Sequence, residues 1–294
     1  MPKVKFNGVE LYYEEYGRGE ETFVTSSMFG AESKEPLSMF PAESHLYAVT
    51  LRGYGKSMHV KGDLGSQWYP TWAEDIYCFS RELGLGKFIY VGVSHGAGVG
   101  WHLVLAHPEV LKGFVSIVGA PHDRAGGSTS EARRRQIEAW GNRETMRAQM
   151  QAFAESFLVV PTTDKARLAR REKIIPELVE RFLSLSKEEF IISPGKPLPE
   201  AKTNEELVAL LSQIKVPTLL LCGMWDQIIP AEMSLLAAKA VPGAKAVFFQ
   251  DESHMLPQES PEKVADEIKL FVTQLNRARQ ELREPQFKRG GERG

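Results

Sequence analysis

Cysteine is nearly absent: the 294 residues carry two, Cys78 and Cys222, far apart and each inside an apolar run. That excludes a disulfide-stapled scaffold and leaves no thiol spacing for a structural metal, so both read as buried thiols. Long apolar runs are missing too, and no stretch reaches the roughly 18 to 20 residues that a membrane-crossing helix needs. The opening residues, Met1 to Lys5, lack the apolar centre of a secretory signal, and a cytoplasmic location is the expectation. Nor is there an excess of one charge. Lys and Arg number 36 against 38 Asp and Glu, a net charge of −2, which argues against a nucleic-acid partner. The expected partner is a small-molecule substrate, with no membrane, no metal and no cofactor, and with a homodimer as the one protein assembly left open.

What remains is an ordinary globular composition, 43% hydrophobic and 25% charged, on a chain long enough for a large α/β domain with an insertion. Apolar and polar residues alternate on either side of Asn7-Gly8, a pair that favours a tight hairpin. Further strand-like runs, rich in β-branched and aromatic residues, fall at 22–25, 45–50, 88–91, 114–118, 216–222 and 246–249. Helical periodicity lies between most of them. One helix is expected from about residue 70, with Thr71 as its N-cap, to Gly84. Such alternation predicts a mostly parallel, doubly wound sheet with helices on both faces.

Between 124 and 214 the pattern changes. Capping-box signals begin at Ser128, Ser186 and Thr203, and apolar residues recur at three- and four-residue spacing. Only 190–192 reads as strand-like. This predicts a core domain from 1–123 and 215–278, an inserted helical cap from 124–214, and a disordered, charged, glycine-rich tail from 279–294.

The residues that suggest chemistry centre on Gly92-Val93-Ser94-His95-Gly96. An apolar strand precedes this G-x-S-x-G pattern and a helical run follows it, which is the setting of a nucleophile elbow. A serine hydroxyl needs a base, and His254, in the loop after the last strand, is the candidate. Asp226, just past the carboxyl end of another strand, is the candidate to orient that imidazole, with Asp123 as its rival.

On these residues the chain resembles the α/β-hydrolase superfamily. The likeness spans about 5 to 275 and rests on GVSHG at the elbow, LRGYGKS, VPTLLLCGMWDQIIP around Asp226 and ESHMLPQESPEKV around His254. The order Ser94, Asp226, His254 is that of the superfamily. The resemblance implies hydrolysis of an ester or lactone of a small, partly apolar substrate through an acyl-enzyme, with the backbone amides of His95 and Met28 holding the oxyanion. It departs from the superfamily at Ser26-Ser27, where relatives commonly carry His-Gly. Two other readings stay open: hydrolysis of a carbon–carbon bond in a ring-fission diketone, and ligand binding with little turnover. Ser27, Phe29, His122, Met146, Met150, Phe153 and Trp225 are the candidate pocket residues.

Overall fold

The structure, a computed structural model, describes residues 2–29, 35–127 and 130–283. Its strands are β1 (Lys3–Phe6), β2 (Val9–Tyr16), β3 (Glu21–Ser27), β4 (Ser44–Thr50), β5 (Phe88–Val93), β6 (Leu111–Ile117), β7 (Thr218–Gly223) and β8 (Lys245–Phe249). They form one eight-stranded sheet in the order β1-β2-β4-β3-β5-β6-β7-β8. Asn7 and Gly8 take φ of 47° and 79°, the left-handed pair that a two-residue hairpin requires, and β1 and β2 pair antiparallel across them. From β4 to β8 every neighbouring pair is parallel.

Alternation along the central strands sorts side chains onto two faces. Tyr90, Phe114 and Leu220 join one core cluster, while Ile89, Val91, Val115, Ile117, Leu219 and Leu221 join the other. The first face is covered by α1 (Trp68–Glu82) and α2 (His95–Ala106), the second by the last helix (Pro261–Arg283) through Val264, Ile268, Phe271 and Leu275. Each fully buried aliphatic or aromatic side chain of this kind contributes about 1.5–3 kcal/mol. The chain lays β4 on one side of β3, then returns to lay β5 on the other. The switch point of the sheet therefore lies between the carboxyl ends of β3 and β5, where open α/β sheets form their binding crevice.

Two expected boundaries move. Helix α1 begins at Trp68 with Gln67 as its cap, not at Thr71, because Trp68 and Tyr69 are buried and packing carries the helix back over them. Pro70 is tolerated there because first-turn amides have no intrahelical acceptor. The last helix runs on to Arg283, so residues 279–283 are helical, and the rest of the expected tail lies outside the described residues.

Between β6 and β7 come α3 (Glu131–Glu138), α4 (Arg143–Glu155), α5 (Lys165–Ser184), α6 (Lys187–Phe190) and α7 (Asn204–Leu211). Ser186 and Thr203 each form the expected capping box. Helix α3 is instead capped by Ser130, whose hydroxyl accepts from the Arg133 amide at 3.1 Å; Ser128 lies outside the described residues. The run at 190–192 is not a strand: Phe190 ends α6 and packs with Met146, Met150, Val179 and Leu183 in a core shared by α4 and α5.

Candidate active site

Ser94 stands between β5 and α2 with φ 47° and ψ −108°, a conformation that side chains other than glycine rarely adopt. Its amide donates to the Ile117 carbonyl at 2.9 Å, which ties the elbow to β6. The turn is possible because neither Gly92 nor Gly96 has a side chain. A Cβ on Gly92 would stand 2.5 Å from Ala97 backbone atoms, and one on Gly96 would stand 2.5 Å from the Ser26 carbonyl oxygen. Both are contacts with backbone, so no rotamer relieves them. Gly96→Ala is therefore expected to push β3 and α2 apart and cost about 1–3 kcal/mol, read as a lowered midpoint in chemical denaturation.

The same packing explains Ser26. Its hydroxyl, 2.6 Å from that of Tyr90, donates to it, and Tyr90 donates in turn to the Gly96 carbonyl at 3.0 Å. Ser26 is thus buried and spent as a donor beneath the elbow, while Ser27 lines the cavity in front of it.

Asp226 and His254 are brought together by their loops. Met224 and Trp225 donate backbone hydrogen bonds to the carbonyls of Phe249 at 3.0 Å and Glu252 at 2.9 Å. Asp226 is buried, and its Oδ1 accepts from the amides of Ile228 and Ile229, both at 2.8 Å. Its Oδ2 lies 2.8 Å from His254 Nδ1, and His254 Nε2 lies 2.8 Å from Ser94 Oγ. The Phe157 ring packs on the imidazole at 5.3 Å. Asp123 is elsewhere: its Oδ1 accepts from the Ala125 amide and the Asn204 side chain, both at 3.0 Å.

The loop carrying His254 is clamped from both sides by buried charge. Arg167 of α5 pairs with Glu259 and with Glu252 at 3.1 Å, and Arg171 reaches Glu259 at 2.9 Å. Lys263 and the Ser260 hydroxyl close the other side of Glu252, both at 2.7 Å. Sequence reading missed this cluster, since a helix dense in Arg and Glu reads as a solvated face.

Two cavities meet at Ser94. A narrower one of about 250 Å³ is mostly apolar, lined by Phe29, Phe153, Phe157, Leu178, Phe182 and Met255 among others. A wider one of about 750 Å³ carries more polar groups, with His95, His122, Arg133 and Lys196 in its walls. Of the candidate pocket residues, Ser27, Phe29 and Phe153 line the first cavity, and His122 and Phe153 the second. His95 and Met28, the candidate oxyanion donors, line both. Three candidates line neither. Met146 and Met150 turn their face of α4 onto α5, and Trp225 is 55% exposed, its peptide amide alone serving the site. Phe157, Ile174, Leu178 and Phe182 were not foreseen, although Phe157, two residues past the end of α4, continues the four-residue apolar spacing of Phe153.

Burial pulls three histidines down to about 4: His95, with Arg133 and His122 adding to the effect; His102; and His122, with Arg124 and Lys196 adding. His102 Nε2 accepts from the Leu198 amide at 3.0 Å, which only a neutral ring can do. Folded values below the ordinary one mean that the unfolded chain binds protons first. Between pH 6.5 and about 4 each ring therefore withdraws stability as pH falls, at up to about 1.4 kcal/mol per pH unit. The expected result is a melting temperature that drops steeply across that window, the three rings taking up close to three protons as the chain unfolds near pH 5 and Asp75, which burial raises to about 6, giving back about one; a flat profile in thermal scans would contradict it. Among the described residues no cluster of three or more metal-ligating side chains occurs, and no helix is long and apolar enough to cross a membrane.

Comparison with known proteins identifies the fold. A family model described as the alpha/beta hydrolase fold matches residues 41–261. A pimeloyl-acyl-carrier-protein methyl ester esterase of Vibrio cholerae is 22% identical over 265 residues, covering 90% of this chain and 98% of its own. A 2-hydroxymuconate semialdehyde hydrolase of Pseudomonas putida is 25% identical over 237 residues, 78% of this chain and 77% of its own. Among solved structures, an enol-lactonase from Burkholderia xenovorans superposes with a TM-score of 0.68 at 19% identity, covering 92% of this chain and 100% of that one.

Proposed function

The chain belongs to the alpha/beta hydrolase fold family, and on that premise we propose that it is a serine hydrolase cleaving a carboxylic ester or lactone of a small, partly apolar substrate. The observation that carries this reading is the unbroken chain of 2.8 Å contacts from Asp226 through His254 to Ser94, at the mouth of an apolar cavity.

The geometry supports the following sequence. With a proton on Nδ1 facing Asp226, Nε2 is free to accept the Ser94 hydroxyl proton as Oγ attacks the substrate carbonyl. The carbonyl electron pair moves onto oxygen, and the amides of His95 and Met28 are the proposed donors to that oxyanion. Collapse expels the alkoxide, which takes the proton from Nε2, and leaves an acyl group on Ser94. Water then adds by the same route: Nε2 removes its proton, the ester to Ser94 breaks, and Oγ recovers a proton as the carboxylic acid departs. Phe153, Phe157 and Leu178 would hold the apolar part and exclude bulk water.

The cations of the wider chamber favour one second reading. A carbon–carbon bond hydrolase acting on a ring-fission diketone would use the same three side chains and would seat a substrate carboxylate beside Arg133. The 2-hydroxymuconate semialdehyde hydrolase among the relatives is consistent with it. A panel of short-chain aryl esters, small lactones and a vinylogous diketone acid separates the two. Turnover of the esters or lactones at least ten-fold above the diketone supports the first reading, and the opposite order replaces it with the second.

A further inference from the structure

One cation of the wide chamber has no counter-charge among its hydrogen-bond partners. Arg133, on α3, donates to the carbonyls of Phe190 and, at 3.1 Å, Ile192, and to the Gln136 amide oxygen at 3.4 Å; its guanidinium stands 5.1 Å over the Phe190 ring. Every one of these partners is neutral. Lys196 donates to the Ala125 carbonyl at 2.5 Å, and Asp123 acts on it as an opposite charge. Burial pulls both cations below their ordinary values. Two carboxylates face the chamber, and both are engaged: Asp123 accepts from Ala125 and Asn204, and Glu131 pairs with Arg135. On the floor beside Ser94, His95 Nε2 is buried and has no partner. His95 and His122 are uncharged at neutral pH, so each offers one N–H rather than a second charge.

A half-buried guanidinium surrounded by carbonyls and an aromatic ring has lost water without gaining a counter-charge. Its fork matches the two oxygens of a carboxylate. A dianion such as phosphate fits less well, because Asp123 and Glu131 also face the chamber and repel a second negative charge more than the first. We propose that this chamber is the recognition site for a carboxylate on the substrate itself, held by Arg133 with help from Lys196. The substrate class is then a half-ester or lactone whose scissile carbonyl sits at Ser94, with one arm apolar and the other ending in a carboxylate. This rests on the reading of Ser94 as the nucleophile.

The test compares two methyl esters of equal chain length, monomethyl adipate and methyl hexanoate, which differ by the terminal carboxylate. The wild-type ratio of kcat/KM, anionic over neutral, is expected to be at least about ten. Arg133→Met should lower that ratio roughly ten- to a hundred-fold, the size of a lost charge-assisted contact, with Arg133→Lys restoring part of it and Lys196→Met lowering it less. Thermal unfolding of each variant checks the fold, and if Arg133→Met does not fold, the lysine variants carry the comparison. A wild-type ratio near one, or a ratio that Arg133→Met and Lys196→Met leave unmoved, overturns the proposal. Calorimetry on Ser94→Ala protein makes the result independent of turnover. Millimolar glutarate should bind, and binding should weaken with Arg133→Met; absence of binding, or inorganic phosphate binding as tightly, overturns it. If instead a fluorophosphonate fails to label Ser94 while glutarate still binds, the hydrolase reading falls and the anion site stands.

Discussion

Ser94→Ala is expected to lower kcat on the best ester found by roughly 10⁶, the scale seen when a serine nucleophile is removed from a comparable constellation. The substitution deletes one oxygen and leaves the rest of the site in place. His254 and Asp226 keep their own 2.8 Å contact, and the Ser94 amide keeps its bond to Ile117. Alanine at φ 47° bears the same backbone strain as serine, so stability should move by less than about 0.5 kcal/mol. Loss of activity with an unchanged melting curve is the signature of a chemical role. A variant retaining even a hundredth of the activity would mean that another group attacks the substrate.

Asp226→Asn should cost nearly as much, roughly 10⁴ in kcat, through the tautomer of a neighbouring ring. The Asp226 carboxylate uses one oxygen for the amides of Ile228 and Ile229 and the other for His254 Nδ1. Those two amides can be satisfied only by an acceptor, so an asparagine must give them its carbonyl oxygen. Its NH₂ group then faces Nδ1 and turns that nitrogen into an acceptor. The proton moves to Nε2, the atom that must take the proton from Ser94. Hydrogen bonding is conserved, so the fold should persist while the base is switched off. Steady-state kinetics beside thermal denaturation reads both. A loss smaller than ten-fold would show that Asp226 does not set the ring's protonation.

The sheet was legible because its strands are unmistakable in composition. Phe88 to Val91, Phe114 to Ile117 and Leu219 to Leu221 are short apolar runs of the kind a strand buried on both faces carries, and they are buried. The convergence of the three candidate residues was legible for the same reason: Ser94, Asp226 and His254 each follow a strand, and a parallel sheet delivers all such loops to one edge. What sequence could not give was the direction of side chains away from that sheet. The apolar stripe of α4 shows that one face of the helix is covered, not by what. Met146 and Met150 went to α5, and Phe153, one turn on, to the cavities. Trp225 illustrates the weakness of adjacency, since its neighbour Asp226 is buried while its own ring faces outward. The Arg167 cluster was invisible because its partners, Glu252 and Glu259, lie about ninety residues away.

The central claim is that the hydroxyl at the elbow is activated by the imidazole beside it. Incubation with a fluorophosphonate, followed by digestion and peptide mass mapping, tests it without knowledge of the substrate. A single stoichiometric adduct on Ser94, lost in His254→Ala, is the predicted result. An unmodified Ser94 under conditions that label a control esterase, or labelling that His254→Ala leaves intact, would contradict it.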